Sequence, residues 1–237
     1  MSKPFRFKQF SVEQERCAMK IGTDAVLLGA WARLDSRPDS ILDIGAGTGV
    51  LALMMAQRSD AQLIDALEID DAAYEQCVEN FEASYWGDRL FCYHAALDEF
   101  TEEIEDQYDL IISNPPFYTD TFKTENEARN TARFEDAMPF TELLKSVSKL
   151  LSKPGHFNVV IPFSEKIAFI ELAKIEGLYP CRILNVRGQK SSPLKRSILC
   201  FSFQQLAIET SELTIEITRH HYTKEYITLT KDFYLKL

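Results

Sequence analysis

The segment Asp43-Ile-Gly-Ala-Gly-Thr-Gly49 constrains the fold more than any other part of the chain. It follows a short apolar run at residues 40–44 and opens a stretch in which Val50, Leu51, Leu53 and Met54 recur at helical spacing. A glycine turn between a strand and a helix is where nucleotide-type ligands bind. Glycines let the backbone turn sharply and approach a ligand with no Cβ in the way, and the helix start offers unpaired amide donors. A dinucleotide wants Gly-x-Gly-x-x-Gly and a pyrophosphate on those amides, whereas here the third glycine comes one residue early. Asp43 could orient an ammonium group, which S-adenosylmethionine carries and NAD does not. Taken alone, the loop is also compatible with a packing turn that holds no ligand.

Around this loop, β-branched or aromatic runs alternate with segments of helical period, as in repeated βαβ units. Strands are predicted at residues 40–44, 63–69, 90–94, 109–113, 155–161, 181–186 and 198–204. Helices are predicted at 24–34, 50–58, 72–85, 141–151 and 165–176. This is an α/β doubly wound, seven-stranded sheet, mostly parallel with one antiparallel strand, because the turn between the last two strands is too short for a crossover helix. Residues 213–218 alternate like a further strand, and 224–237 are open to helix or strand. With 237 residues and no composition break, a single domain over 1–237 is expected.

Two further features extend the loop. Glu68 ends the next strand, about twenty residues on, where a carboxylate can accept hydrogen bonds from both ribose hydroxyls. Asp70 and Asp71 precede a helix and read as caps, and Met54 and Met55 read as core. Then Asn114-Pro115-Pro116-Phe117 closes a buried strand at the ligand edge of the sheet. The prolines fix φ and remove donors, so the local carbonyls stand as acceptors beside the Asn amide oxygen. Such acceptors suit an aromatic amine, whose nitrogen becomes nucleophilic as its hydrogens are drawn out of plane. Phe117 offers a face for a planar base. The competing interpretation is a proline turn with Phe117 as a core anchor.

Together these motifs resemble class I S-adenosylmethionine-dependent methyltransferases, with Asn-Pro-Pro-Phe as in their amino-methylating branch. Three further stretches, Phe5-Arg-Phe-Lys-Gln-Phe10, Cys17-Ala-Met-Lys-Ile-Gly-Thr-Asp24-Ala-Val-Leu-Leu-Gly-Ala-Trp31 and Asp232-Phe-Tyr-Leu, are similar to the bacterial valine-tRNA adenine-N6 methyltransferases that act beside the anticodon. The resemblance implies a Rossmann-like core over 36–206, a segment and helix over the cofactor site (1–35) and a C-terminal extension (207–237). It implies that Asp43, Gly45, Gly47 and Gly49 hold the methionine part of S-adenosylmethionine and Glu68 its ribose. Asn114, Pro115, Pro116 and Phe117 would hold the target adenine, while Lys20, Thr23 and Asp24 would lie over the cofactor. Read without the family, Thr23 is a helix cap. Such relatives place Asp or Asn after the third strand to read the cofactor adenine; here Asp98, or a carbonyl near Ala96, is left for that role.

Composition narrows the partners. A net charge of −10 excludes a protein that coats nucleic acid nonspecifically, so tRNA contact must be local. Two basic segments are candidates: Lys3, Arg6 and Lys8 interleaved with Phe5, Phe7 and Phe10, and Arg187, Lys190, Lys195 and Arg196. The first also fits a half-buried edge strand. Five scattered cysteines without a Cys-x-x-Cys pair, and His94, His220 and His221 without a ligand set, give an expectation of no metal. No apolar run approaches a membrane span and no signal peptide is evident, so a cytoplasmic monomer is expected. Rival functions sharing the motif are methylation of release-factor glutamine, ribosomal RNA guanine or DNA adenine. The release-factor enzymes carry a helical domain before the glycine loop, for which the roughly forty residues before Asp43 are too few, and the target-recognition domain usual in DNA enzymes is not evident. A noncatalytic RNA-binding protein of the same fold is the rival from outside the enzymes.

Overall fold

The computed structural model describes residues 3–116 and 139–236. Its sheet grows outward from β3 (Ser40–Ile44), where Ile41, Leu42 and Ile44 are buried on both faces, as a central parallel strand requires. β4 (Leu63–Glu68) and β5 (Leu90–His94) lie to one side of it. β6 (Tyr108–Ser113), β7 (Leu151–Pro162), β9 (Leu194–Ser202), β8 (Tyr179–Gln189), β10 (Glu209–Thr218) and β11 (His221–Tyr222) lie in that order to the other. A separate two-stranded ribbon pairs β1 (Phe5–Arg6) with β2 (Ser11–Val12).

The seven predicted strands are all present, and β9 runs antiparallel between β7 and β8 as the short turn requires. The count for the main sheet is corrected to nine strands among the described residues. β10 adds to β8 in parallel and β11 turns back antiparallel on β10. Its physical reason lies in β8, which would otherwise present a row of unpaired amides and carbonyls at the edge of the sheet. Residues 203–208 carry the chain past β8 so that Leu213 buries itself against the core.

Helices cover both faces. α1 (Thr23–Trp31), α2 (Val50–Arg58), α3 (Asp71–Glu82) and the terminal α7 (Lys224–Thr230) bury Leu27, Leu53, Phe81 and Tyr226 on one face. α4 (Leu97–Glu103), α5 (Phe140–Leu150) and α6 (Lys166–Ile175) bury Phe100, Leu144 and Phe169 on the other. Met54 and Met55 are fully buried, and Asp70 caps α3 by accepting from Ala73 N at 2.8 Å. Among the described residues no helix is long and apolar enough to cross a membrane.

Register sets the site. Ile44 lies opposite Leu67 on one side and Ser113 on the other, so Gly45, Glu68 and Asn114 step off the same edge side by side. Ser113 Oγ donates to the Ile44 carbonyl at 2.8 Å and pins that alignment.

Candidate functional site

The glycine loop is left-handed at every glycine, with φ of 73° at Gly45, 54° at Gly47 and 76° at Gly49. Their surroundings differ. A Cβ on Gly45 or Gly47 would meet nothing within 4 Å, whereas one on Gly49 would lie 2.5 Å from Phe81 Cε1 and 2.8 Å from Cys77 Sγ. The first two glycines therefore face open space, and the third lets the loop seat against α3. That open space is a cavity of about 350 Å³, of the size small-molecule sites have. It is lined by Gly45 and Gly47 on one wall, Asn114, Pro115 and Pro116 on another, and Lys20 and Asp24 above.

Asp43 lies beneath the loop with no exposed surface. Its Oδ2 accepts from Ala52 N at 3.1 Å, but Oδ1 has no partner, an arrangement costing about 1–3 kcal/mol. Burial pushes its carboxyl up to about 7, opposed by the Ala52 amide and reinforced by Glu68. An orphaned acceptor under a cavity ringed by Cβ-free positions fits a ligand with a cationic end and a nucleoside body.

Glu68 is half-buried and tied to the loop: Oε2 accepts from Gly47 N at 2.7 Å, and Oε1 from the amides of Ile69 and Asp70, each at 2.9 Å. Over this corner passes the N-terminal segment, held by a residue that sequence reading missed. Buried Asn80 on α3 accepts from Glu13 N at 2.8 Å and donates to the carbonyls of Glu13 and Thr48, each at 2.9 Å. One amide thereby fastens the segment to the glycine loop. Burial first, then the Glu68 and Asp70 carboxylates, push the Cys17 thiol of that segment up to about 11, so it stays protonated.

Other assigned residues fall elsewhere. Thr23 is exposed, lines an adjoining groove rather than the cavity, and is the first residue of α1; Gly22 is the cap, without a side-chain bond. Asp98 is exposed near the start of α4, outside the cavity lining, and Ala96 is that helix's N-cap. Phe117 lies outside the described residues. His94 Nε2 is 3.0 Å from the Ile69 carbonyl and 3.1 Å from Asp71 Oδ1, a structural tie between β5 and α3. Pro162 and Met19, not singled out from sequence, also line the cavity.

The basic segments divide as well. Lys3, Arg6, Lys8, Lys190 and Lys195 are exposed, and Lys8 Nζ donates to the Lys231 carbonyl at 2.6 Å. Arg187 is ion-paired with Glu212, and Arg196 with Asp24 at 2.7 Å on the cavity rim. Phe7 and Phe10 are 3% and 7% exposed and stack on each other at 4.6 Å. The idea that these two rings stack on RNA is thus corrected to the half-buried edge strand. Burying such a ring stabilises the fold by about 1.5–3 kcal/mol, no less than the 1–3 kcal/mol, roughly, of stacking on a base. Neither ring gains by leaving the core.

The family "Methyltransferase small domain" matches residues 20–162. The chain is 61% identical to the tRNA1(Val) (adenine(37)-N6)-methyltransferase of Christiangramia forsetii, over 100% of this chain and 99% of that one. It is also 61% identical to the Flavobacterium johnsoniae protein of the same name, over 98% and 100%. A solved structure, a predicted O-methyltransferase from Agrobacterium tumefaciens, superposes with TM-score 0.66 over 89% of this chain and 96% of that one. At 16% identity that likeness concerns the fold alone.

Proposed function

The chain belongs to the small-domain methyltransferases and, within them, to the tRNA1(Val) (adenine(37)-N6)-methyltransferases, and from that membership we propose how its own residues methylate N6 of adenine 37 in a valine tRNA. The observation that carries the residue roles is one cavity shared by the glycine loop and Asn114-Pro115-Pro116. S-adenosylmethionine, when bound, supplies an electrophilic methyl group on a sulfonium. Asp43 holds the cationic end of the cofactor and Glu68 its ribose. An ionised carboxylate has about four lone-pair sites. Glu68 already accepts three amides, so taking both ribose hydroxyls requires one amide to give way. The Asn114 side-chain oxygen and the Pro115 carbonyl accept the hydrogens of the adenine amine and draw them out of the ring plane, which frees the nitrogen lone pair. No charged base is needed for that step. Phe117 supplies the stacking face, and Lys3, Arg6, Lys8, Lys190 and Lys195 meet phosphates.

Purified protein, incubated with labelled cofactor and total RNA from a strain lacking it, is expected to place label in tRNA that digests to N6-methyladenosine. Label in ribosomal RNA instead would replace the substrate.

Asp43 makes cofactor affinity pH-dependent. Its folded pKa of about 7 stands above the ordinary 3.8, so its contribution to stability is fully present below 3.8 and lost as pH rises through about 7. A bound ammonium favours the ionised form, so affinity is expected to rise between pH 5.5 and 7.5, roughly, with proton release at the lower end. Calorimetry in buffers of differing ionisation enthalpy reads this directly. An equal pH slope in Asp43→Asn would remove the carboxylate from the role.

A further inference from the structure

Beside the cofactor cavity lies a second hollow, of about 510 Å³, walled by aromatic side chains of both chain ends. Phe5 comes from β1, Tyr222 from β11, Tyr226 from α7 and Tyr234 from the segment after it. Tyr222 and Tyr226 have ring centroids 5.0 Å apart with planes at 32°, and Phe5 meets Tyr234 edge-on at 6.3 Å and 64°. Tyr226 is 3% exposed and anchors the group, while Phe5, Tyr222 and Tyr234 are only half-buried. Ile21 and Gly22 line both hollows and form the partition between them. Lys236 stands exposed at the far rim.

Resting on the function proposed above, we propose that this groove receives the unpaired base adjacent to the target adenine, stacked on Tyr222 and Tyr234. Three observations select that occupant. The groove lies across a two-residue partition from the cavity that takes the target, within reach of a nucleotide continuous with it. Its lining carries four aromatic rings, a side-chain type on which any base of a single strand can stack. Its floor also contains Glu216, whose Oε1 accepts from His220 N at 3.1 Å, so the interior repels a phosphate and the cation sits outside at Lys236. Base inside and phosphate at the rim is the arrangement that charge pattern admits. The C-terminal extension then acts on the substrate as well as on the sheet edge.

Tyr222→Leu is expected to raise KM for tRNA about tenfold, the lower range of one lost stack, with kcat and cofactor Kd within about twofold. Tyr222→Phe keeps the ring and is expected to retain the wild-type KM. A synthetic hairpin RNA with the target adenine in its loop, made abasic at one neighbour or the other, is expected to lose a similar factor on one side only, and Tyr222→Leu adds less than about twofold to that loss. Unchanged KM in Tyr222→Leu, or two losses that multiply in full, overturns the proposal. If Tyr222→Leu lacks a cooperative melt, Lys236→Glu at the exposed chain end takes its place: a raised KM with a shallower salt slope supports the groove, and no change in either overturns it. Wild-type protein that transfers no methyl to any tRNA refutes the function itself, whereas transfer indifferent to these changes refutes only the groove.

Discussion

Asn114→Ala is expected to slow single-turnover methyl transfer by about 10²–10³-fold, the cost of removing one preorganised acceptor from a developing charge. The fold and the cofactor Kd are expected to stay near wild type. Asn114 is half-buried on the cavity wall at the end of β6, and the strand is held in register independently of it by the Ser113 Oγ bond to Ile44. The loss belongs in kcat rather than in tRNA KM, because the acceptor is needed most as the amine leaves the ring plane. Asn114→Asp, which retains an acceptor oxygen, is expected to fall between the two. An alanine variant within threefold, roughly, of wild-type rate would end the acceptor mechanism.

Gly49→Val is expected to cost about 2–5 kcal/mol of stability, combining overpacking with a β-branched residue at a left-handed φ. In a chain of this length that lowers Tm by roughly 5–20 °C. The reason is local: the new Cβ would sit 2.5 Å from a Phe81 ring that is 2% exposed and has nowhere to retreat. Gly47→Ala gives the contrast. Its Cβ meets no protein atom, so it pays mainly for φ, about 1–2 kcal/mol, but it fills space the cofactor needs. Thermal melts and cofactor calorimetry on the two variants are therefore expected to rank them in opposite orders. The same ranking by both measurements would mean that the three glycines do not divide their work in this way.

Much of this was legible because parallel strands buried on both faces write themselves as continuous apolar runs. Residues 40–44 were bounded correctly as such a strand, 90–94 as an edge strand with Phe91 and Tyr93 exposed, and 50–58 as a helix. The glycine loop and Asn114 follow from strand ends, so the cavity's two main walls followed with them. What sequence did not disclose depends on contacts between distant segments. α4 hides among seven acids, with only Leu97 and Phe100 buried to betray it. Alternation at Phe5–Phe10 is the same whether one face meets solvent or Tyr234, and only the Phe7–Tyr234 bridge decides it. Asn80 carries no signal at all, since a buried asparagine on a helix gains its meaning from Glu13, 67 residues away. Thr23 and Asp98 were assigned by analogy of position, and side chains one residue along a helix can face a different hollow.

The extension that walls the groove also covers the flank of β8. β10 pairs with β8 from Arg182 to Gln189, and β11 in turn covers the end of β10 at Glu216 and Thr218. Glu209 and Glu212 stand along the outermost long strand, where they pair with Arg182 and Arg187 of β8. A protein shortened to residue 206 would present the bare flank of β8 to its neighbours, a template on which another chain's strand can add. The choice of where to cut the chain or place a purification tag thus bears on whether this sheet ends within one molecule or continues into a fibre.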